Sequence, residues 1–280
     1  MPARDDGQGM SHTVGSAEVN GASIHFELAG DGCPLVLLHA GICDARMWDE
    51  QFDAFARRHS VMRYDRRGFY RSTRGESGFS HVRDLAGLLN HLGLGGATLL
   101  GCSQGAKIAL DFALESPESV DSLVLVAPAV SGYAYKAAPP PQYEEILEAD
   151  AVGDVGRINE LELQVWVDGP RRSPDEVDVG VREMVRDMNF GALTSSAGDG
   201  LPPDVDAAER LGEVRVPVLV VVGDIDTPRT LEAANFLAAG IAGARLEVIK
   251  GAAHLPNMER PEEFNRLVLE FLNGAGAEAR

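Results

Sequence analysis

The amino-acid sequence predicts an α/β protein, with a mostly parallel sheet of eight strands and helices on both faces. Short, continuous apolar runs recur along the chain, and such runs are typical of strands buried on both faces. Helical patterns separate the runs, as expected when parallel strands are joined by crossover helices. The alternation stops once, between residues 131 and 215, where no buried strand is evident. We therefore expect a helical lid inserted after the sixth strand.

The strands follow from one turn signal and six apolar runs. The pair Asn20-Gly21 is the strongest short hairpin signal, and it joins two predicted strands within residues 17–29. Further strands are predicted at residues 34–39, 60–65, 97–102, 122–128, 216–223 and 245–249. Most of these runs are apolar throughout, which indicates strands in the interior of the sheet.

The helices follow from apolar residues that recur on one helical face. Between and after the strands, helices are predicted at residues 45–58, 81–92, 105–115, 227–239 and 261–272. In the lid, the segment Ser173-Pro174-Asp175-Glu176 has a cap residue, a proline in the first turn and a glutamate three residues after the serine. This combination predicts the start of a lid helix.

The chain is therefore predicted to contain one α/β core domain and one insertion. The core domain comprises residues 16–130 and 216–280, and the lid comprises residues 131–215. Residues 1–15 are polar and glycine-rich and lack the apolar segment of a signal peptide, so we expect a disordered tail.

Composition restricts the partners and the compartment. The 280 residues include 43 acidic and 25 basic side chains, for a formal net charge of −18, which disfavours nucleic acids and anionic membranes. No apolar run is long enough to span a bilayer. The three cysteines are an odd and widely spaced set that fits a reducing compartment, so we expect a cytoplasmic protein. A monomer and a homodimer are both compatible with the sequence.

Ser103 is the candidate nucleophile. It lies in Gly101-Cys102-Ser103-Gln104-Gly105, a G-x-S-x-G pattern that follows a predicted strand and opens a predicted helix. The flanking glycines would let a sharp turn close, and the helix would direct its positive end toward the serine. An ordinary glycine-rich turn can produce the same pentapeptide, so the strand–helix context carries the assignment.

A nucleophilic serine needs a histidine base and a third group that orients the histidine. Among seven histidines, only His254 lies in a small-residue loop after a C-terminal strand, on the side of the sheet where active sites form. A helix-capping role is the alternative for this residue. Asp224 and Asp226 follow the preceding strand, and we select Asp226 as the acid because it lies further past the strand end. Asp224 is then a capping or solvated residue.

Five stretches together resemble the α/β-hydrolase superfamily, in particular its esterases, 3-oxoadipate enol-lactonases and methyl-ester carboxylesterases. The resemblance covers residues 16–272. Five motifs in the right order are far more specific than any one of them. The stretches are Leu37-Leu38-His39-Ala40-Gly41, Tyr64-Asp65-Arg66-Arg67-Gly68, Gly101-Cys102-Ser103-Gln104-Gly105, Gly223-Asp224-Ile225-Asp226 and His254-Leu255-Pro256.

The resemblance implies further roles. The backbone N–H groups of Gly41 and Gln104 would form the oxyanion hole, and His39 would brace the loop that carries Gly41. The implied reaction is hydrolysis of a carboxylic ester or lactone through an acyl-enzyme, without a cofactor or a metal. Epoxide hydrolases and haloalkane dehalogenases of this fold need a carboxylate at position 103, so they are excluded.

The chain departs from the family pattern at two positions. Ala40 stands where the family usually has glycine, and Tyr70 replaces a glycine in the stretch after Asp65. These departures affect the expected backbone geometry of the two loops and leave Ser103, Asp226 and His254 unchanged.

The lid is expected to cover the site and to line a pocket for a small to medium, apolar substrate. The residues predicted to line it are Ile42, Trp166, Met184, Met188 and Leu255. Further candidates are Tyr133, Tyr135 and Phe190, although helical spacing also suits the interior of the lid. Arg171 and Arg172 could bind a substrate carboxylate or form a solvated pair.

Two other functions would use the same three residues. One is hydrolysis of a C–C bond in a diketone-type substrate, although the glycine-rich oxyanion loop of such relatives is absent from His39-Ala40-Gly41-Ile42. The other is a small-molecule sensor with negligible turnover.

Overall fold

Eight strands form one sheet in the computed structural model, which describes residues 11–75, 78–195, 201 and 205–278. The strands are β1 (His12–Val19), β2 (Ala22–Ala29), β3 (Pro34–Leu38), β4 (Ser60–Tyr64), β5 (Ala97–Cys102), β6 (Val120–Val126), β7 (Val218–Gly223) and β8 (Arg245–Ile249). Their order is β1-β2-β4-β3-β5-β6-β7-β8, with β2 antiparallel to both neighbours and the other pairs parallel. The predicted α/β class and eight-stranded sheet are confirmed.

The N-terminal hairpin begins earlier than the sequence suggested. Residues 1–10 of the predicted tail, 1–15, lie outside the described part of the chain, but every residue from His12 onward pairs with β2. The exposed, polar character of this segment hid the strand, because backbone hydrogen bonds rather than burial hold an edge strand. The turn itself lies at Asn20-Gly21, as predicted, with φ angles of 48° and 79°.

Helices cover both faces of the sheet. They are α1 (Asp49–Ala56), α2 (His81–Leu92), α3 (Gln104–Glu115), α4 (Tyr143–Ala151), α5 (Val155–Leu163), α6 (Val179–Thr194), α7 (Ala207–Arg210), α8 (Pro228–Gly240), α9 (Pro256–Glu259) and α10 (Pro261–Glu278). Within β3, Val36 and Leu38 belong to one apolar core, and Leu35 and Leu37 belong to the other. Alternate side chains of a strand point to opposite faces, so the sheet separates two cores.

The connection from β6 to β7 carries α4, α5 and α6. These helices pack against one another, and α5 continues into a π-helical turn at Gln164–Asp168. π-helical turns are rare in proteins, and many of those that occur lie at functional sites. This turn brings the insertion next to the loop that carries His254, as described below.

The predicted capping box is present but opens a shorter element than expected. Ser173 and Glu176 exchange both hydrogen bonds of the box, and the helix that they begin is the 3-10 turn Pro174–Glu176. Val177 is extended, with φ −105° and ψ 147°, so the helix cannot continue through it. A second start follows at Val179, where the Asp178 side chain provides the cap of α6.

The described residues contain neither a membrane-spanning helix nor a cluster of metal ligands, and their cysteines form no disulfide. None of their helices combines the length and apolar character needed to cross a bilayer. No group of three or more His, Cys, Asp or Glu side chains among them could hold a metal ion. All three cysteines are free thiols, with Cys33 exposed and Cys43 and Cys102 buried. Packing and hydrogen bonds, rather than disulfides, therefore stabilise this part of the fold.

A buried ion pair fastens the N-terminal hairpin to α2. The Arg67 Nε donates to Asp84 Oδ2 at 2.7 Å, and its Nη2 donates to Asp84 Oδ1 at 2.8 Å. The same Nη2 donates to the carbonyl oxygens of Val19 at 3.1 Å and Asn20 at 2.9 Å. Each buried charge is thus compensated by two-point geometry and by further hydrogen bonds.

Removing one charge of this pair is expected to destabilise the fold strongly. Arg67→Met leaves the Asp84 carboxylate buried without its cation, which should lower the free energy of unfolding by about 3–5 kcal/mol. Chemical denaturation measures the change. The double variant Arg67→Met/Asp84→Leu is the control, because it removes both charges and should recover most of the loss. A double variant as unstable as the single one would contradict this account.

Candidate active site

Ser103 lies at a sharp turn between β5 and α3. Its φ angle is 54°, a conformation that is strained for any residue other than glycine. A Cβ atom at Gly101 would collide with the carbonyl oxygen of Gly105, and a Cβ at Gly105 would collide with the carbonyl oxygen of Leu38. Glycine is therefore required at both positions, and the G-x-S-x-G pattern is a steric condition for this turn. The serine lies beside the positive end of α3.

His254 and Asp226 form a buried pair in the loops that follow β8 and β7. The His254 Nδ1 and the Asp226 Oδ2 are 2.8 Å apart, and the residues are 4% and 3% exposed. The second carboxylate oxygen, Oδ1, accepts the backbone N–H of Thr227 at 2.6 Å, which fixes the orientation of the carboxylate. An ionised carboxylate only accepts hydrogen bonds, so Nδ1 carries the proton and Nε2 is the basic nitrogen.

The neighbouring aspartate has a different task. Asp224 Oδ1 accepts the backbone N–H of Gly251 at 2.7 Å, and so it supports the loop that carries His254. Gly223, at the end of β7, lies against the loop that carries His254. A Cβ atom at this position would collide with the carbonyl oxygen of Ala252, so glycine is required. Since β7 and β8 are neighbours, their carboxyl ends bring Asp226 and His254 together.

The loop after β3 is held by His39 and Arg66, which are both buried. The His39 Nε2 accepts the backbone N–H of Arg66 at 2.9 Å, and its Nδ1 donates to the Ala40 carbonyl at 2.8 Å. Burial, helped by the Arg66 charge, lowers the pKa of His39 well below its usual range, so the ring is neutral. The Arg66 guanidinium donates to the same carbonyl at 3.2 Å and to Gln104 Oε1 at 2.6 Å. These contacts match the bracing role expected for His39, whereas the part played by Arg66 was missed.

Gly41 follows this braced segment. Among the described residues, its backbone N–H has no hydrogen-bond acceptor. Ala40 is fully buried and does not have a positive φ angle, so its methyl group is accommodated where the family usually has glycine. Tyr70 has a φ angle of 39°, in the region that glycine favours, and the Arg46 guanidinium lies 4.3 Å from its ring centre. The tyrosine thus takes up a backbone conformation that usually calls for glycine.

These elements enclose a cavity of about 630 Å³. Ser103, His254, Gly41 and Gln104 line it, so the side chains and the loop expected at the site share one space. Asp226 lies behind His254 and is buried. Of the residues predicted to form the substrate pocket, Ile42 and Trp166 also line the cavity.

A family model described as "alpha/beta hydrolase fold" matches residues 34–261. The chain belongs to the α/β-hydrolase family. A 2-hydroxy-6-oxo-6-phenylhexa-2,4-dienoate hydrolase from Comamonas testosteroni is 30% identical to this α/β-hydrolase over 275 residues, which cover 89% of this chain and 91% of that protein. The chain is thus similar to that hydrolase along nearly its whole length.

Solved structures agree with this assignment. A thermophilic esterase from Thermogutta terrifontis is 26% identical, with a TM-score of 0.78, and the match covers 94% of this chain and 99% of that one. The enol-lactonase from Burkholderia xenovorans LB400 also has a TM-score of 0.78, with 24% identity and coverage of 92% and 99%. This second likeness shows the shared fold alone. The resemblance to the α/β-hydrolase superfamily drawn from the motifs is confirmed.

Three residues predicted to line the pocket of this α/β-hydrolase do not line the cavity. Met184 is 39% exposed on the outer side of α6, whereas Met188 and Leu255 are packed in an apolar core. For Met188 the prediction was wrong because its side of α6 faces other apolar side chains of the fold rather than the substrate space, and Leu255, in the loop after β8, is buried in the same core. From the same helix, the cavity is lined by Asn189, Ala192 and Leu193.

Of the three further aromatic candidates, one lines the cavity and two do not. Tyr135 lines the cavity. Tyr133 instead stacks on Phe236, with ring centres 4.3 Å apart, and Phe190 is half-exposed outside the cavity lining. Tyr133 and Phe190 thus serve the packing and the surface of the insertion, whereas Tyr135, like Trp166, borders the cavity.

The two arginines considered for a substrate carboxylate have structural partners. Arg171 donates to the backbone carbonyl of Asp224. Arg172 forms an ion pair with Glu259 at 2.7 Å and also donates to backbone carbonyl oxygens of the loops around it. Neither side chain lines the cavity that contains Ser103, so the carboxylate-binding role is not supported by their placement.

Trp166 contacts His254 in two ways. The ring centres lie 4.5 Å apart, and the backbone carbonyl of Trp166 accepts the backbone N–H of His254 at 3.3 Å. Trp166 belongs to the π-helical turn after α5, so the insertion directly supports the loop of the histidine. The sequence showed only a tryptophan beside an apolar helical face, without any sign of this contact.

The insertion also gives the cavity polar walls, which the sequence did not reveal. Tyr143, Glu162 and Asn189 line it from α4, α5 and α6, and Lys107 and Arg229 line it from α3 and α8. Burial raises the pKa of Glu162 above its usual range. A charged residue on an amphipathic helix usually faces water, so no pattern distinguished Glu162 from its solvated neighbours.

Proposed function

We propose that this α/β-hydrolase is a serine hydrolase that cleaves a carboxylic ester or lactone of small to medium size. Ser103 would be the nucleophile, His254 the general base and Asp226 the residue that orients the base. One observation carries the proposal. The buried His254–Asp226 hydrogen bond of 2.8 Å lies at the cavity in which the strained Ser103 is also placed.

The proposed reaction follows from the protonation states of these groups. With Nδ1 bonded to Asp226, the His254 Nε2 takes the proton of the Ser103 hydroxyl as its oxygen attacks the carbonyl carbon. The tetrahedral intermediate collapses when His254 returns the proton to the leaving alcohol, which gives an acyl-enzyme. Water, activated by the same histidine, then releases the acid. These steps need no cofactor and no metal ion.

The oxyanion of the tetrahedral intermediate would be bound by the backbone N–H groups of Gly41 and Gln104. Both residues line the cavity, Gly41 beyond the braced loop after β3 and Gln104 as the first residue of α3. Among the residues that the structure describes, none accepts a hydrogen bond from the Gly41 N–H, which supports its assignment. Each donor would contribute about 3 kcal/mol to the stability of the transition state.

We assign residues 131–215 the role of a lid that selects the substrate. The π-helical turn and the helices α4, α5 and α6 supply part of the cavity lining. Chain residues from both the core and this insertion therefore meet around the space for the substrate. We further expect a cytoplasmic enzyme that acts on a small molecule, as a monomer or a homodimer.

A second candidate function is hydrolysis of a C–C bond. The relative from Comamonas testosteroni is named for a dienoate that contains no ester or amide bond, so its hydrolysis must break a C–C bond. The same three residues would serve that reaction. A low-turnover sensor remains the third reading of the site, because a complete set of three residues is compatible with binding alone.

The deciding experiment is steady-state hydrolysis of p-nitrophenyl esters of increasing acyl length, together with a set of lactones. We expect turnover with an initial burst of p-nitrophenol, and labelling of Ser103 by a fluorophosphonate in mass spectrometry. Consumption of the phenyl dienoate without ester or lactone hydrolysis would instead favour the C–C hydrolase. Ligand binding without turnover of any substrate would favour the sensor.

A further inference from the structure

Glu162 is a carboxylate with an unusual position in the lid. It lines the cavity that holds Ser103, and its Oε2 accepts a hydrogen bond from Asn189 Nδ2 at 2.7 Å. Asn189 is itself buried and also donates to Asn159 Oδ1 at 3.0 Å, so a second hydrogen bond holds its amide group in place. Within the described part of the chain, no arginine, lysine or histidine forms an ion pair with Glu162.

Another carboxylate on the same helix shows what a purely structural role looks like here. Glu160 receives hydrogen bonds from Arg182 at 2.7 Å and Arg186 at 2.9 Å, and these partners lower its pKa to about 2. Burial raises the pKa of Glu162 instead, with only the Asn189 hydrogen bond acting against it. Glu162 is partly buried, and a carboxylate that is partly removed from water without a cation is unfavourable for folding, so a glutamine or leucine would fit position 162 at lower cost.

We propose that Glu162, positioned by Asn189, is the acceptor of a substrate subsite that binds a neutral hydrogen-bond donor, a hydroxyl or amide N–H. This inference rests on the proposed function and names the chemical class of its substrate. The donor lies on a part of the substrate away from the reacting carbonyl. A substrate that is apolar throughout would leave the carboxylate desolvated and unpaired, which disfavours binding.

The other charges in the cavity decide between a neutral and a charged donor. Lys107 and Arg229 line the same space, and their positive charges disfavour a cationic substrate. Glu162 in turn disfavours a substrate carboxylate near it. The Arg229 guanidinium is also engaged, because its Nε donates to the Ala137 carbonyl at 3.0 Å and its Cζ lies 5.4 Å from the Tyr135 ring centre. A neutral donor satisfies Glu162 without opposing either cation.

The test compares substrates of equal length that differ at one end. In one series the acyl chain of a p-nitrophenyl ester ends in a methyl, a hydroxyl or a carboxylate group. In the other, the same three ends are placed on the alcohol of a butyrate ester. We expect the native enzyme to favour the hydroxyl end over the methyl end in kcat/KM by about tenfold or more in one of the two series, as for a hydrogen bond to a charged group.

Variants at position 162 test whether Glu162 causes the preference for the hydroxyl end. Glu162→Leu should abolish the preference, because kcat/KM should rise for the methyl-ended ester and fall for the hydroxyl-ended one, and should raise the melting temperature, because it removes the unpaired charge. Glu162→Gln should retain part of the preference through its carbonyl oxygen. Glu148→Leu is the matched control, because Glu148 is an exposed carboxylate on α4 and should change neither measurement.

The outcomes separate this inference from the proposed function. Ester hydrolysis with no hydroxyl preference in either series, or with a preference that survives Glu162→Leu, overturns the subsite and leaves the serine hydrolase standing. A preference for the carboxylate end also overturns it and indicates an anion site at Arg229. If the native chain hydrolyses lactones but none of these esters, the serine hydrolase stands and this subsite falls. If it hydrolyses neither, both the proposed function and this subsite fall.

Discussion

Ser103→Ala is expected to lower kcat/KM for the best ester substrate by about 10⁵-fold, because it removes the hydroxyl that would form the acyl-enzyme. The residual rate would come from substrate binding and from the oxyanion donors alone. The measurement is steady-state hydrolysis of the preferred p-nitrophenyl ester, with prolonged assays to quantify the variant. The burst of p-nitrophenol should disappear completely.

Ser103→Gly is the matched control for this prediction. The native φ angle of 54° is strained for alanine as for serine, but it suits glycine. We therefore expect the glycine variant to be as inactive as the alanine variant and more stable than it by about 1 kcal/mol. Comparison of the alanine and glycine variants separates the effect of losing the nucleophile from the effect of destabilising the fold. An alanine variant that keeps a tenth of the native activity would contradict the assignment of Ser103.

Asp226→Asn is expected to lower kcat by about 10⁴-fold, because it reverses the tautomer of the histidine. The Asp226 Oδ1 accepts the N–H of Thr227 at 2.6 Å, so an asparagine must keep its carbonyl oxygen at that position. Its NH₂ group then occupies the place of Oδ2 and donates to His254 Nδ1. The proton of the ring moves to Nε2, which can no longer accept the proton of Ser103.

Asp224→Asn is the matched control, two residues away. Asp224 accepts the N–H of Gly251 through one oxygen, which an asparagine carbonyl can replace. We expect near-native kcat for this variant and a fold that is equally stable at neutral pH. If Asp224→Asn lost more activity than Asp226→Asn, the roles of the two aspartates would be exchanged.

The sheet and the three candidate catalytic residues could be predicted because each depends on local physical conditions. The apolar runs fix which segments are buried strands. The glycines at 101 and 105 are required by carbonyl oxygens that a Cβ atom would strike, so the turn around Ser103 is visible in the sequence. The carboxyl ends of neighbouring parallel strands meet at one edge, so Asp226 and His254 could be paired from topology.

The pocket could not be predicted in the same way, because it depends on how the helices of the insertion rotate against one another. Met188 has the apolar character expected of a pocket residue, yet its side chain is packed in an apolar core. Asn189, its neighbour in sequence, lines the cavity instead. The contacts of Arg66 with Ala40 and Gln104 were missed for a related reason: they join three segments that are distant in sequence.

The hydrogen bond from the His254 N–H to the Trp166 carbonyl has a consequence for how such a protein can be redesigned. The insertion is not an independent module, because it supports the backbone of the histidine as well as bordering the substrate. Grafting the insertion of a relative onto this core would therefore disturb turnover together with specificity. Side-chain replacements at Ala192 and Leu193, which line the cavity from α6 and lie outside the π-helical turn, change the shape of the pocket without altering that backbone support.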